Sequence, residues 1–331
     1  MGVTLDTTCS ILLAGLRLLC GPTGVEDLVR LEGTPWLVGS GMAEANVAGH
    51  VHLINSRTRQ WQVAYPGVTA NAAPDAKRFP GCSSEPDAAK FGAHGIAVHR
   101  SRNGRLELLA VNHGREAIEY FSIEIGNDAP RLHWIGCVMM PADASINSVA
   151  ALPDGGFVAT QFYTPSQGGM ALIQSGALTG GVFEWHPGKA VTAIDGIRLS
   201  GANGIEVADG GKLLYVAAWG GREILRIDRS KPALQIQRIA VDFAPDNLRW
   251  SADHRSLLVA GQIFAPGGGS PVKLEGWKVL RLDARTLAPT AVAAGDANSP
   301  MQGVSVAVEV EDQLWIGPFR GDRIASLQLA K

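Results

Sequence analysis

The sequence predicts an all-β fold, a six-bladed β-propeller formed by one domain over residues 1–331. Three observations carry this reading. Its 40 glycines separate short apolar runs that alternate with polar residues, and no long stretch has helical period. The runs include TPWLVGSG, HVHLINS, RLELLAVN, GGFVATQF, KLLYVAAW, SLLVAGQ and DQLWIGPF. Several follow Asn-Gly or Asp-Gly pairs (Asn103-Gly104, Asp154-Gly155, Asp209-Gly210), the chemistry of tight hairpins. Finally, the hairpins recur as units that begin near Glu26, His94, Asn147, Asn203, Asp246 and Gln302, roughly 45–70 residues apart.

The last unit supplies three strands, VSVAVEV, DQLWIGPF and RIASLQL, so a strand from the N-terminal segment is expected to complete it and close the ring. An open ring would leave strand edges unpaired. The strand pattern alone also suits a β-sandwich or two barrels. Polar residues at matching places in successive units favour the propeller.

Composition narrows the function. Hydrophobic residues make up 46% of the chain, enough for a large core, and 31 acidic against 29 basic residues leave a net charge of −2. That balance argues against a nucleic-acid or anionic-membrane partner, which would need a basic face. The apolar stretch at 11–20 is interrupted by Arg17 and too short to span a bilayer, so it reads as a strand or short helix of the fold. Cys9, Cys20, Cys82 and Cys137 form no CxxC pair; no zinc site or disulfide framework is expected, and the compartment expected is the cytoplasm.

In a propeller blade the first strand starts, and the second strand ends, at the same mouth of the channel. Those positions hold Glu26-Asp27, His94, Asn147, Asn203 and Asp246-Asn247 in the first five units, with His113 ending the second strand of unit two. Singly, an Asn before a strand or an Asp after Pro245 is an ordinary turn residue. Repeated in phase, they form an oxygen cage with two carboxylates and three carboxamides, a set suited to calcium rather than to magnesium or zinc. His50 and His52 point the same way along a strand but lack partners in phase, and read as structural. No G-x-S-x-G, Walker, dinucleotide or HExxH motif is present.

The segments HGIAVHR and LLAVNHGREAIEYF resemble the paired histidine segments of the serum paraoxonase/arylesterase family. SINSVAALPDGGFVATQF, GANGIEVADGGKLLYVA and PDNLRWSADHRSLLVAG resemble its Asn- and Asp-Asn-bearing strand starts, and GVEDLVRLEGTPWLVGSG its Glu-Asp segment. The resemblance runs from about Glu26 to the C-terminus and extends to the broader gluconolactonase and senescence-marker-protein group of calcium propellers. It implies a calcium-dependent hydrolase of lactones or related small-molecule esters, with phosphotriester hydrolysis or a non-catalytic calcium-stabilised binding propeller as the alternatives.

By residue, the resemblance implies that Glu26, Asn147, Asn203, Asp246 and Asn247 bind the catalytic calcium and that His94 and His113 form the histidine dyad. It implies that either this dyad or a calcium-bound carboxylate, Asp246 or Glu26, activates the nucleophile. A second calcium in the family uses an Asp like Asp27, a carbonyl like that of Ile96, and an Asp where this chain has Ser148. The loops expected on the site face, 67–93, 163–181 and 264–274, carry Met170 and Phe264 and favour an apolar or semi-polar acyl group.

Overall fold

Strand-forming runs bounded by left-handed turns dictate the local structure. In the turn between the first two strands of the fourth unit, Asp209, Gly210 and Gly211 take φ of +47°, +64° and +88°, three successive positive values that Asp tolerates and Gly favours. We describe residues 12–44, 47–67, 72, 74–82, 84–265 and 273–329 of a computed structural model.

Two strands, β1 (Leu12–Leu13) and β2 (Leu16–Cys20), precede the first blade. Blade one comprises β3 (Val25–Arg30), β4 (Trp36–Gly41), β5 (His50–Asn55) and β6 (Trp61–Tyr65). Blade two comprises β7 (Ala93–Arg100), β8 (Leu106–Asn112), β9 (Ala117–Glu124) and β10 (Arg131–Met139). Blade three has β11 (Ile146–Ala151), β12 (Phe157–Gln161), β13 (Gly181–Trp185) and β14 (Thr192–Ala193), with helix α1 (Gly169–Gln174) in its β12–β13 loop. Blade four has β15 (Ala202–Ala208), β16 (Leu213–Ala218), β17 (Glu223–Asp228) and β18 (Gln235–Ala240). Blade five has β19 (Ala244–Trp250), β20 (Ser256–Phe264), β21 (Leu274–Asp283) and β22 (Pro289–Asp296).

Blade six is built from both ends of the chain. β23 (Val304–Val310), β24 (Gln313–Pro318) and β25 (Arg323–Gln328) form its inner part, and β2 pairs antiparallel with β25, from Arg17 opposite Ser326 to Cys20 opposite Arg323. β1 adds a fifth strand outside β2. Of the apolar stretch at 11–20, position 11 lies outside the described residues, and most of the remainder is these two strands.

The first strands of the blades pack side by side round the channel, β3 against β7, then β11, β15, β19, β23 and back to β3. β23 is buried entirely, and β3, β11 and β19 all but their last residue, because a neighbouring blade covers each face; β7 and β15 become partly exposed over their last three residues. The fourth strands β18 and β22 are largely exposed. β18 carries Gln235, Gln237 and Arg238, polar side chains that discourage edge-to-edge pairing.

One expectation is corrected here. Cys82, in the loop before β7, and Cys137, on β10, form a disulfide with Cα atoms 5.4 Å apart across 55 residues of sequence. The loop folds back over blade two, a proximity that spacing along the chain does not encode. Cys20 is also disulfide-bonded, and none of the described cysteines is free; Cys9 lies outside the described residues. The pairing removes the cysteine spacing as a ground for expecting the cytoplasm. Among the described residues no helix is long and apolar enough to cross a membrane.

Candidate metal centre and its histidine relay

All six innermost strands are interrupted at the same place. The pairing of first with second strand shifts register between Val25 and Asp27, Ala93 and Ile96, Ile146 and Val149, Ala202 and Ile205, Pro245 and Leu248, and Val304 and Val306. The residues inside these irregularities are Glu26, His94-Gly95, Asn147-Ser148, Asn203-Gly204, Asp246-Asn247 and Ser305. A bulge re-aims a side chain that a regular strand would direct at the next blade, here into the channel. Glycine permits the close packing this needs. A Cβ on Gly95 would lie 2.5 Å from the Asn147 carbonyl oxygen, and one on Gly204 2.5 Å from that of Asp246.

The five expected oxygen ligands are all buried, none more than 5% exposed. Hydrogen bonds fix part of the Glu26, Asp246 and Asn247 side chains. Asn247 Nδ2 donates to Glu26 Oε1 (2.8 Å) and to the Glu26 carbonyl (3.1 Å). Gln262 Nε2 donates to Asp246 Oδ2 (2.7 Å) and to the Val304 carbonyl (2.9 Å), and its Oε1 accepts from Trp219 Nε1 (2.9 Å).

The other oxygens have no partner: Glu26 Oε2, Asn147 Oδ1, Asn203 Oδ1, Asp246 Oδ1 and Asn247 Oδ1. Among the described residues these are all the buried, unpartnered carboxylate and carboxamide oxygens. Each would cost about 1–3 kcal/mol if left so. Burial, reinforced by the charge of Glu26, raises the Asp246 carboxyl well above the usual carboxylate range. The set asks for a hard cation and fits calcium, which takes oxygen ligands only. Among the described residues no group of three or more His, Cys, Asp or Glu side chains is arranged to hold a metal; three of the five cage oxygens come from carboxamides.

His94 stands beside the cage. Its Nε2 lies 3.5 Å from both Glu26 Oε1 and Asn147 Nδ2, and its side chain is 14% exposed. His94 Nδ1 meets His113 Nε2 at 2.7 Å, and His113 Nδ1 meets Glu116 Oε2 at 3.0 Å. Glu116 Oε1 in turn accepts the Ile146 amide (2.6 Å). The tautomers follow from the network. The carboxylate of Glu116 accepts a proton-bearing Nδ1 from His113, whose Nε2 then accepts from His94 Nδ1, leaving the His94 Nε2 lone pair facing the cage. Burial opposes charge on His94, but Glu26, Asp246 and Asp27 together outweigh it and raise the imidazole above its usual value.

Asp27 does not face the cage. Its Oδ1 accepts the Leu28 amide (2.9 Å), and its Oδ2 accepts the Ile96 amide (2.9 Å) and the Arg249 guanidinium. His50 and His52 meet each other Nε2 to Nε2 at 2.9 Å, and His52 Nε2 also lies 3.1 Å from the Thr23 carbonyl. They make no bond to the cage residues. Beside the cage, Trp219 sits edge-on between Phe162 (ring centroids 5.8 Å) and Phe264 (5.2 Å). Helix α1 is anchored by buried Ile173 and exposes Met170 and Leu172. Of the loops expected on this face, positions 68–71, 73, 83 and 266–272 lie outside the described residues.

Sequence reasoning missed Ser305, Glu116, Gln262 and Arg249. Ser305 occupies the sixth blade's equivalent place, and its Oγ donates to the Glu26 carbonyl (2.7 Å). Its position at the start of VSVAVEV, in phase with the other five, was the available signal. Gln262, a lone amide in the apolar run SLLVAGQ, was another.

No protein-family model matches the chain, and no curated protein matches it in sequence. Its fold is similar to solved structures. A luciferin-regenerating enzyme superposes with a TM-score of 0.59 at 13% identity, covering 96% of both chains. A putative gluconolactonase gives 0.56 at 15% identity, over 99% of this chain and 97% of that one. Regucalcin from Agrobacterium tumefaciens, described as a calcium-binding protein, gives 0.54 at 12% identity over 94% of each. At these identities the likeness establishes the fold, an all-β six-bladed propeller.

Proposed function

We propose that this protein is a calcium-dependent hydrolase of lactones or related esters. The observation that carries the reading is the convergence of five buried, unpartnered oxygens from four blades on the channel mouth, with an imidazole from a fifth beside them. The similarity in fold to a putative gluconolactonase and to calcium-binding regucalcin supports it.

Glu26, Asn147, Asn203, Asp246 and Asn247 would hold the ion. When bound, calcium supplies a Lewis acid that polarises a carbonyl and stabilises the negative charge that develops on its oxygen. The chain's own residues do the rest. Asn247 and Gln262 fix one oxygen each of Glu26 and Asp246, so the second oxygen of each carboxylate is presented in a defined direction. His94 takes a proton at Nε2 from a water positioned at the mouth. Its Nδ1–H bond to His113, and the His113 bond to Glu116, hold the ring and spread the positive charge that forms. Phe162, Trp219 and Phe264 line an apolar flank suited to an acyl or aryl group and shield that proton transfer from bulk water.

The test is hydrolysis of a panel of aliphatic and aryl lactones, an aryl ester and a phosphotriester, with and without EDTA. Chelator-sensitive turnover of lactones or esters is expected. Turnover of the phosphotriester alone would move the assignment to that class, and calcium binding without turnover of any substrate would leave a binding propeller.

A further inference from the structure

Below the cage lies a second convergence of oxygens in the channel, and it differs from the first in that every one is bonded. Arg249, on β19, is 6% exposed at its side chain. Its Nε donates to the Leu28 carbonyl (2.9 Å). Its Nη1 donates to Glu206 Oε1 (2.9 Å) and the Leu248 carbonyl (3.0 Å), and its Nη2 to the Ile96 carbonyl (2.7 Å) and Asp27 Oδ2. A guanidinium has five N–H groups, and all five are used. The acceptors are three backbone carbonyls and two carboxylates from blades one, two, four and five. Carbonyls and carboxylates gathered from separate segments are what a calcium ion collects.

We propose that Arg249 is a resident cation that takes the place of a second metal ion in the inner channel, so that this chain holds no divalent ion there. The second calcium that Asp27 and Ile96 would serve does not fit these residues: both oxygens of Asp27 and the Ile96 carbonyl are already occupied. Ser148 Oγ, at the third position expected to serve that ion, is unpartnered but neutral. A guanidinium is charged at every pH the protein meets and does not dissociate. The blades are thereby tied at this level whether or not calcium is present, whereas the mouth depends on a bound ion. The inference stands apart from the proposed reaction.

The experiment counts calcium bound to chelator-stripped full-length protein by isothermal titration and follows its melting temperature in EDTA and in excess calcium. Wild type, Arg249→Ala and Arg249→Lys are compared. Arg249→Ala exposes Asp27, Glu206 and three carbonyls to one another; it is expected to bind one more calcium per chain than wild type. It should also melt lower in EDTA and recover more of that loss in calcium than wild type does. Arg249→Lys keeps a cation and should show the wild-type count. An equal count in folded Arg249→Ala, or two ions in wild type with Arg249 intact, would overturn the proposal. If Arg249→Ala folds only when refolded with calcium, the proposal is upheld. If it folds in neither condition, Arg249→Met combined with Asp27→Asn and Glu206→Gln removes the guanidinium and both carboxylate charges together; that variant must fold with no added calcium site, and an additional ion there would refute the assignment.

Discussion

Replacing Glu116 by Gln tests the histidine relay with the least disturbance to the cage. The side chain keeps its length, and its amide oxygen can still accept the Ile146 N–H now bonded at 2.6 Å. Its NH₂ would then face His113 Nδ1, 3.0 Å away in the native protein. To avoid opposing two N–H groups, His113 must give up the Nδ1 proton and carry it on Nε2, which forces His94 to accept at Nδ1 and to carry its own proton on Nε2. The lone pair facing the cage is lost. Restoring the active tautomer sacrifices a charge-assisted hydrogen bond and sets two donors against each other, together about 3–4 kcal/mol, or 10²–10³-fold in rate. The assay is kcat and kcat/KM on the best lactone between pH 6 and 9, with calcium content and melting temperature measured in parallel. The expected result is a fall of that size in kcat with calcium content unchanged. Full turnover in a folded, calcium-replete Glu116→Gln would refute the relay, and so would a loss matched by loss of calcium.

Other outcomes follow from the same geometry. His94→Gln should retain calcium and stability while losing about 10²–10⁴-fold in turnover, the range for removing acid–base catalysis; near-native turnover, with Asp246→Asn inactive even at saturating calcium, would transfer the base or nucleophile role to the carboxylate. Asn203→Ala, which removes a neutral oxygen with no protons to exchange, should weaken calcium affinity and activity together, read by calcium titration beside kinetics. Removal of the Cys82–Cys137 disulfide, which closes 55 residues, should cost up to about 4 kcal/mol by chain entropy and lower the melting temperature measurably in Cys82→Ala/Cys137→Ala. His52 is fully buried, and burial, with His50 beside it, depresses its pKa to about 3. Its neutral form is therefore the folded form, and its contribution is fully present above pH 6.5. It is lost as pH falls from 6.5 towards 3, by up to about 4–5 kcal/mol; melting curves across that range should flatten in His52→Gln.

Much of the blade plan was legible because polar residues interrupt apolar strands in phase. Glu26, Asn147, Asn203 and Asp246 each follow a turn and precede a buried run, and the structure places their side chains together at one mouth. The register shifts that aim them there were not legible, since a bulge depends on which residue of the partner strand is skipped. Glu116 and Arg249 were hidden for a related reason. Glu116 sits in a four-residue turn where an acid is unremarkable, with a left-handed φ of +47°. Arg249 lies inside a strand, where alternation would send it outward; its partners come from four blades and as many as 222 residues away. The Cys82–Cys137 pairing depended likewise on a loop folding back, which no local pattern records.

The most direct measurement is the metal content of protein purified without chelators, by elemental analysis. If the proposed function is right, the five converged oxygens hold about one calcium per chain. Stoichiometric zinc in its place, or protein that is fully folded with no divalent ion even after incubation with calcium, would contradict the account.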